Sequence, residues 1–166
     1  MKEVAGKDGE HMDDATAAPV QYFEDFRPGM VSGTGGVTVT EAEIIRFARD
    51  FDPQPMHTDP QAARAITGGL IASGWHTAAL TMRMLVGNPS YNPAPGTLGL
   101  GFDKLRWRLP VRPGDRLRVR MEVVEVRPSE SRPDRGVITS RFTTLNQNDE
   151  VVQEMVSSAL VPRRPA

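Results

Sequence analysis

Residues 74–86, GWHTAALTMRMLV, decide the fold. Arg83 is the only charged residue in this stretch, and Gly87-Asn88-Pro89 stops it. As a helix it would run about 20 Å at 1.5 Å per residue. A helix apolar on nearly all sides must be enclosed by other structure. The chain downstream supplies the enclosure. Leu98, Leu100 and Phe102 alternate, and so do Leu105, Trp107 and Leu109, but the two sets differ in parity. The pattern therefore slips by one residue near Asp103-Lys104, as a β-bulge would make it do. Pro110 to Asp115 is a turn, and Leu117, Val119, Met121 and Val123 alternate in the next strand. Residues 127–135 form a second turn. Strands over 136–145 and 150–161 follow, separated by Asn146-Gln147-Asn148-Asp149. Four antiparallel strands joined by short turns can curve, and the concave face is the natural place for the apolar helix.

Upstream, Tyr22, Phe23 and Phe26 form an aromatic cluster able to dock on a core, and residues 31–39 (VSGTGGVTV) read as a strand weakened by glycines. Thr40-Glu41-Ala42-Glu43 is a capping box opening a helix that stops before Pro53. A short helix follows Asp59-Pro60 and ends at Thr67-Gly68-Gly69. The fold class is α+β, a curved antiparallel sheet around a long central helix. A single domain spans 19–166. Residues 1–18 contain no apolar run and read as a disordered tail, without the apolar core a secretory signal needs. The expected location is therefore cytoplasmic.

The chain has 166 residues, 20 Lys plus Arg against 21 Asp plus Glu, and a net charge of −1. That balance gives no bulk basic field for nucleic acid, and no run of about 18 apolar residues suggests a membrane span. There is no cysteine, which excludes disulfides, thiolate metal sites and cysteine nucleophiles. Three histidines are present. His11 lies in the tail and is expected to be solvated. His76 lies in the apolar helix and is expected to be a hydrogen-bonded structural histidine. His57 is left to carry imidazole chemistry.

His57 sits in the polar stretch Asp50-Phe51-Asp52-Pro53-Gln54-Pro55-Met56-His57-Thr58-Asp59. Its two prolines forbid a regular helix here, and Pro55 biases Gln54 toward extended dihedrals. On a helix Asp52 and His57 would point about 140° apart. A rigid turn can bring both onto one water or substrate, and a carboxylate with an imidazole suits general acid–base work near neutral pH. Capping of backbone amides by Asp52 or Asp59 is the structural alternative. Asp50, Asp52 or Asp59 could join His57 on a metal, but one histidine without cysteine is a thin donor set, and no metal is expected.

Asp52-Pro53-Gln54-Pro55-Met56-His57-Thr58-Asp59-Pro60, then Gly68-Gly69-Leu70-Ile71-Ala72-Ser73-Gly74, resembles the MaoC-like dehydratases and (R)-specific enoyl-CoA hydratases, which have the hot-dog fold. Leu105 to Asp115 (LRWRLPVRPGD) is similar to that family's strand and Pro-Val…Gly-Asp turn, and the match covers roughly 20–162. Gln54 stands where the family usually carries Asn. Thr81-Met82 stands where some members place a pocket serine.

The resemblance implies reversible syn hydration of a trans-2-enoyl thioester to an (R)-3-hydroxyacyl thioester, as in fatty acid metabolism. His57 would be the general base and Asp52 its partner and proton donor. The Gly74 amide, at the amino end of the central helix, would stabilise charge on the thioester oxygen. Gln54, Pro55, Gly69, Ser73, Trp75, Arg106 and Arg108 are the candidate substrate contacts, with Arg112 a further candidate beside the arginines. A solvated strand face is the simpler account of each arginine, yet phosphates on a coenzyme A substrate call for a basic rim. Coenzyme A enters as part of the substrate, and no separate cofactor is implied. The loop at 87–97 could cover the pocket and set acyl length. Hot-dog sheets pair edge to edge, so a homodimer at least is expected. Two other functions fit the residues: a hot-dog thioesterase, and a non-catalytic acyl-binding or assembly subunit.

Overall fold

The computed structural model describes residues 18–165. The tail, apart from Ala18, and His11 lie outside the described residues. Phe23 and Phe26 are buried and join Val123, Ile138 and Val161 in a small core at one end of the sheet. Gly136 lies under the Phe23 ring, which fills the space a Cβ would need. The glycine-weakened strand is broken into β1 (Val31–Gly33) and β2 (Val37–Thr38), both antiparallel to one later strand.

α1 (Glu41–Phe51) opens on the expected capping box: the Glu43 amide donates to Thr40 Oγ1, and the Glu43 carboxylate accepts from the Thr40 amide at 3.0 Å. Asp52 ends the helix with φ −155° and ψ 68°. The proline-rich stretch is more helical than expected. α2 (Pro55–Thr58) is one helical turn, because Pro55 occupies its first position, where no backbone donor is needed. Asp59 Oδ1 caps α3 (Pro60–Thr67) by accepting from the Gln61 and Ala62 amides. α3 closes on Gly68 at φ 71°, a left-handed position that suits glycine.

α4 (Gly74–Val86) is the long helix. Leu80, Met84 and Leu85 enter the main core with Leu117, Val119, Val152 and Met155. Strands β3 (Leu98–Trp107), β4 (Arg116–Pro128), β5 (Arg135–Leu145) and β6 (Val151–Pro162) follow. The sheet order is β1-β4-β5-β6-β3, antiparallel throughout, with β2 also on β4. This is the expected α+β, hot-dog arrangement. The expected bulge lies between Phe102 and Lys104, and a second register shift occurs between Gly99 and Gly101.

The helix is not enclosed on all sides. Trp75 is 58% exposed and Met82 45% exposed on one face of α4. Beside that face runs edge strand β3, with Leu98, Leu100 and Phe102 also exposed. No helix among the described residues is long and apolar enough to cross a membrane.

Candidate functional site

Asp52, at the end of α1, and His57, on the single turn α2, face each other: His57 Nε2 lies 3.5 Å from Asp52 Oδ2. The connection is short and stiff. The Gln54 amide donates to the Asp52 carbonyl, and the His57 amide donates to the Gln54 carbonyl. His57 is 6% exposed, and its Nδ1 lies 2.8 Å from the Ile71 carbonyl oxygen. A carbonyl can only accept, so Nδ1 carries the hydrogen and Nε2 of the neutral ring presents its lone pair toward Asp52.

Both oxygens of Asp52 are held. Ser73 Oγ donates to Oδ2 at 2.6 Å, and Gln54 Nε2 donates to Oδ1 at 2.8 Å. The Ser73 bond is the main influence holding the carboxyl below its ordinary range; the Gln54 bond and the charge of a protonated His57 act the same way. A carboxylate so held is ionised at neutral pH.

Ser73 also caps α4, where its Oγ accepts from the Trp75 amide. Gly74 follows as the first residue of the helix, in the turn whose amides have no helical acceptor. A cavity of about 260 Å³ is lined by His57, Ala72, Gly74, Thr77, Trp107 and Arg108, among others. The Trp107 indole lies against Gly74 so closely that a Cβ at position 74 would overlap it. Trp107 Nε1 donates to Gln153 Oε1 at 2.9 Å, and Gln153 Nε2 donates to Thr81 Oγ1 at 3.0 Å. Gln153 and Thr81 are fully buried, and Thr81 bonds Thr144 at 2.7 Å. The wall above Gly74 is thus tied to the core.

The structure gathers Asp52, Gln54, His57, Ser73 and Gly74 into one cluster, of which His57 and Gly74 line the cavity together with Arg108. Arg108 is ion-paired with Glu154 at 2.6 Å. Arg106 lines a separate groove with Lys104, Arg108 and Arg141. Pro55 and Gly69 are not among the residues lining the His57 cavity. Arg112 is engaged with backbone, its Nη2 donating to the Thr67 carbonyl. Trp75 meets Trp107 edge-on at 5.6 Å and lines a neighbouring apolar cavity with Phe47, Ala79, Met82 and Phe102. Met82 and Phe102 also line a third cavity of about 240 Å³, which Tyr91, Pro93 and Thr97 of the 87–97 loop help to close.

Sequence reasoning passed over Gln153. Its signal was a glutamine sharing the inward phase of β6 with Met155, an apolar position that demands hydrogen-bond partners.

His76 differs from expectation. It stacks on Phe47 at 4.7 Å, and its buried Nδ1 has no hydrogen-bond partner among the described residues. Burial pushes its pKa down, opposed by Glu43 and assisted by Arg46. The unfolded chain therefore takes up a proton that the folded chain refuses. The neutral ring's contribution to stability is present above the unfolded pKa, about 6.5, and is lost as pH falls toward the folded value. Thermal melts between pH 7.5 and pH 5.5 should show a steeper loss of Tm in the wild type than in His76→Phe; equal slopes would contradict this.

The chain is similar to known proteins over most of its length. The model for the MaoC like domain matches residues 25–145. The chain is 31% identical over 147 residues to the 3-hydroxybutyryl-CoA dehydratase of Methylorubrum extorquens, covering 87% of each chain. The crystal structure of the MaoC-like dehydratase from Rhodospirillum rubrum is similar with a TM-score of 0.83 at 46% identity, covering 88% of this chain and 99% of that one. The R-hydratase PhaJ1 from Pseudomonas aeruginosa is similar with a TM-score of 0.71 at 25% identity, covering 86% of each. With an Asp/His turn set against the amino end of its central helix, the chain belongs to the MaoC-like dehydratase family.

Proposed function

We propose that the protein is a hydro-lyase that reversibly adds water to a trans-2-enoyl thioester, giving an (R)-3-hydroxyacyl thioester. One observation carries this reading: Nε2 of His57 faces Asp52 Oδ2 at 3.5 Å, with the other ring nitrogen engaged by the Ile71 carbonyl. A water that bridges the two from one side has one acceptor for the proton it loses and a second that orients it.

The water oxygen bonds to C3 as Nε2 takes its proton, and electron density moves through C2 to the thioester oxygen. The Gly74 amide and the α4 dipole stabilise that oxygen. A proton then passes from the dyad to C2 on the same face, so addition is syn and the dyad ends as it began. Sequence reasoning made Asp52 the proton donor. The bonds to both its oxygens favour the ionised form, so the donor role fits the His57 imidazolium better, with Asp52 stabilising that cation. Gln54 acts through Asp52 in this scheme.

The acyl chain would lie along the apolar cavities beside Trp75 and Met82, with the 87–97 loop as their far wall. Arg108 at the cavity rim, and Arg106 in the adjoining groove, would meet the phosphates of coenzyme A or another phosphorylated carrier. A cytoplasmic location suits such a substrate.

A second copy of the chain would cover the exposed apolar face of α4 and pair edge strand β3. Sedimentation at micromolar concentration should therefore give a homodimer or larger; a monomer contradicts this.

The test of the function is a screen of enoyl-CoAs of varied length and branching with chiral analysis of the product. The (R)-3-hydroxyacyl thioester is expected. Release of free thiol would point to a thioesterase, and binding without turnover to a non-catalytic subunit.

A further inference from the structure

We infer that Ser73 is a positioning residue for the hydration: its hydroxyl locks the Asp52 carboxylate to the amino end of α4, so the dyad and the Gly74 amide are held as one unit. The inference rests on the proposed reaction and adds a residue to it.

A serine hydroxyl has one hydrogen and two lone pairs. Capping a helix uses only a lone pair, and here that role is filled by the bond from the Trp75 amide at 3.2 Å. The hydrogen is left over. It goes to Asp52 Oδ2 at 2.6 Å, across 21 residues of sequence. Ser73 is 1% exposed, so bulk water does not compete for this bond. The oxygen it holds is the one that faces His57 Nε2.

Gln54 Nε2 takes the other oxygen from the opposite side of the turn. The plane of the carboxylate is thereby fixed at both ends, one end by its own loop and the other by the helix that presents Gly74. Substrate must be gripped between a dyad on the α1–α2 turn and an amide on α4. The Ile71 carbonyl already ties His57 to the segment that leads into α4. Without Ser73, however, the Asp52 carboxylate loses its bond to the α4 cap and can drift, and a displacement of about 1 Å can cost about a hundredfold in rate. The lowered pKa of Asp52, with Ser73 as its largest cause, agrees with this bond. Among the described residues His57 is the titratable group that acts on that carboxyl.

The test compares full-length wild type with Ser73→Ala and Ser73→Thr. Carbon NMR follows titration of the Asp52 carboxyl, assigned with Asp52→Asn, and steady-state kinetics on an enoyl-CoA give the pH profile. In Ser73→Ala the Asp52 midpoint should rise toward the ordinary carboxylate range. The acid limb of kcat/KM should move with it, and kcat should fall by about tenfold or more, the loss expected for one charge-assisted hydrogen bond. KM should stay within about twofold. Ser73→Thr keeps the hydroxyl and should restore all three. If Ser73→Ala does not fold, Ser73→Cys replaces it, with a weaker donor and the same direction of change.

A folded Ser73→Ala that melts lower but titrates Asp52 as the wild type does would overturn the inference, leaving Ser73 a helix cap. A wild type inert toward every enoyl thioester overturns the proposed reaction instead, and the carboxyl titration still judges the Ser73–Asp52 link.

Discussion

His57→Ala should lower kcat for enoyl-thioester hydration by about 10²–10⁴-fold, the usual contribution of a positioned general base. The side chain offers Nε2 as the proton acceptor beside Asp52, and alanine offers none. Asp52 cannot replace it fully, because the bonds from Ser73 and Gln54 lower its basicity. KM should change little, since the apolar cavities and Arg108 that would hold the substrate stay in place. Truncation also leaves the Ile71 carbonyl without its donor, at a cost of about 1–3 kcal/mol. His57→Gln, with an amide near the same place, serves as the folding control. Kinetics below the Tm of both variants check the prediction. Near wild-type turnover in either would remove the imidazole from the mechanism.

The second large effect is expected at Gly74. In Gly74→Ala the new methyl overlaps the Trp107 indole. The indole cannot swing aside cheaply, because its N–H is held by the fully buried Gln153, which is held by Thr81. Such overpacking costs about 1–3 kcal/mol. Relaxation would push the first turn of α4 away from β3 and displace the amide proposed to face the thioester oxygen. Loss of one oxyanion donor is worth about 10²–10³ in kcat, so activity should fall by about that factor. Trp107→Phe makes room for the methyl. The double variant should therefore be more stable than the sum of the single effects, and a double-mutant cycle on Tm and kcat tests the contact. Strict additivity would show that Trp107 does not press on Gly74.

Much of this was legible in the sequence, for identifiable physical reasons. The Thr40 capping box is local chemistry, complete within four residues. The change of parity between Phe102 and Leu105 announced the bulge because side chains alternate strictly along a strand. The Asp52/His57 turn was legible from two prolines and two titratable groups, and its helical turn was missed only because Pro55 fits a first turn as well as it breaks an interior one. The partners of these residues were harder to read. Ser73 meets Asp52 across 21 positions, and nothing local in Ala72-Ser73-Gly74 says where the hydroxyl points. Gln153 reaches Trp107 across 46 positions. The apolar pattern of 74–86 also carries no mark of which face the sheet covers, so the exposure of Trp75 and Met82 came only with the fold.

Hydration of an enoyl thioester is the reaction proposed for this Asp/His turn. Crotonyl-CoA incubated with the wild type, Asp52→Asn and His57→Ala, with enoyl absorbance and free thiol followed together, tests it most directly. The wild type should remove the enoyl absorbance without releasing thiol, and both variants should leave it nearly unchanged. Thiol release by the wild type, or equal loss of absorbance in all three proteins, would contradict it.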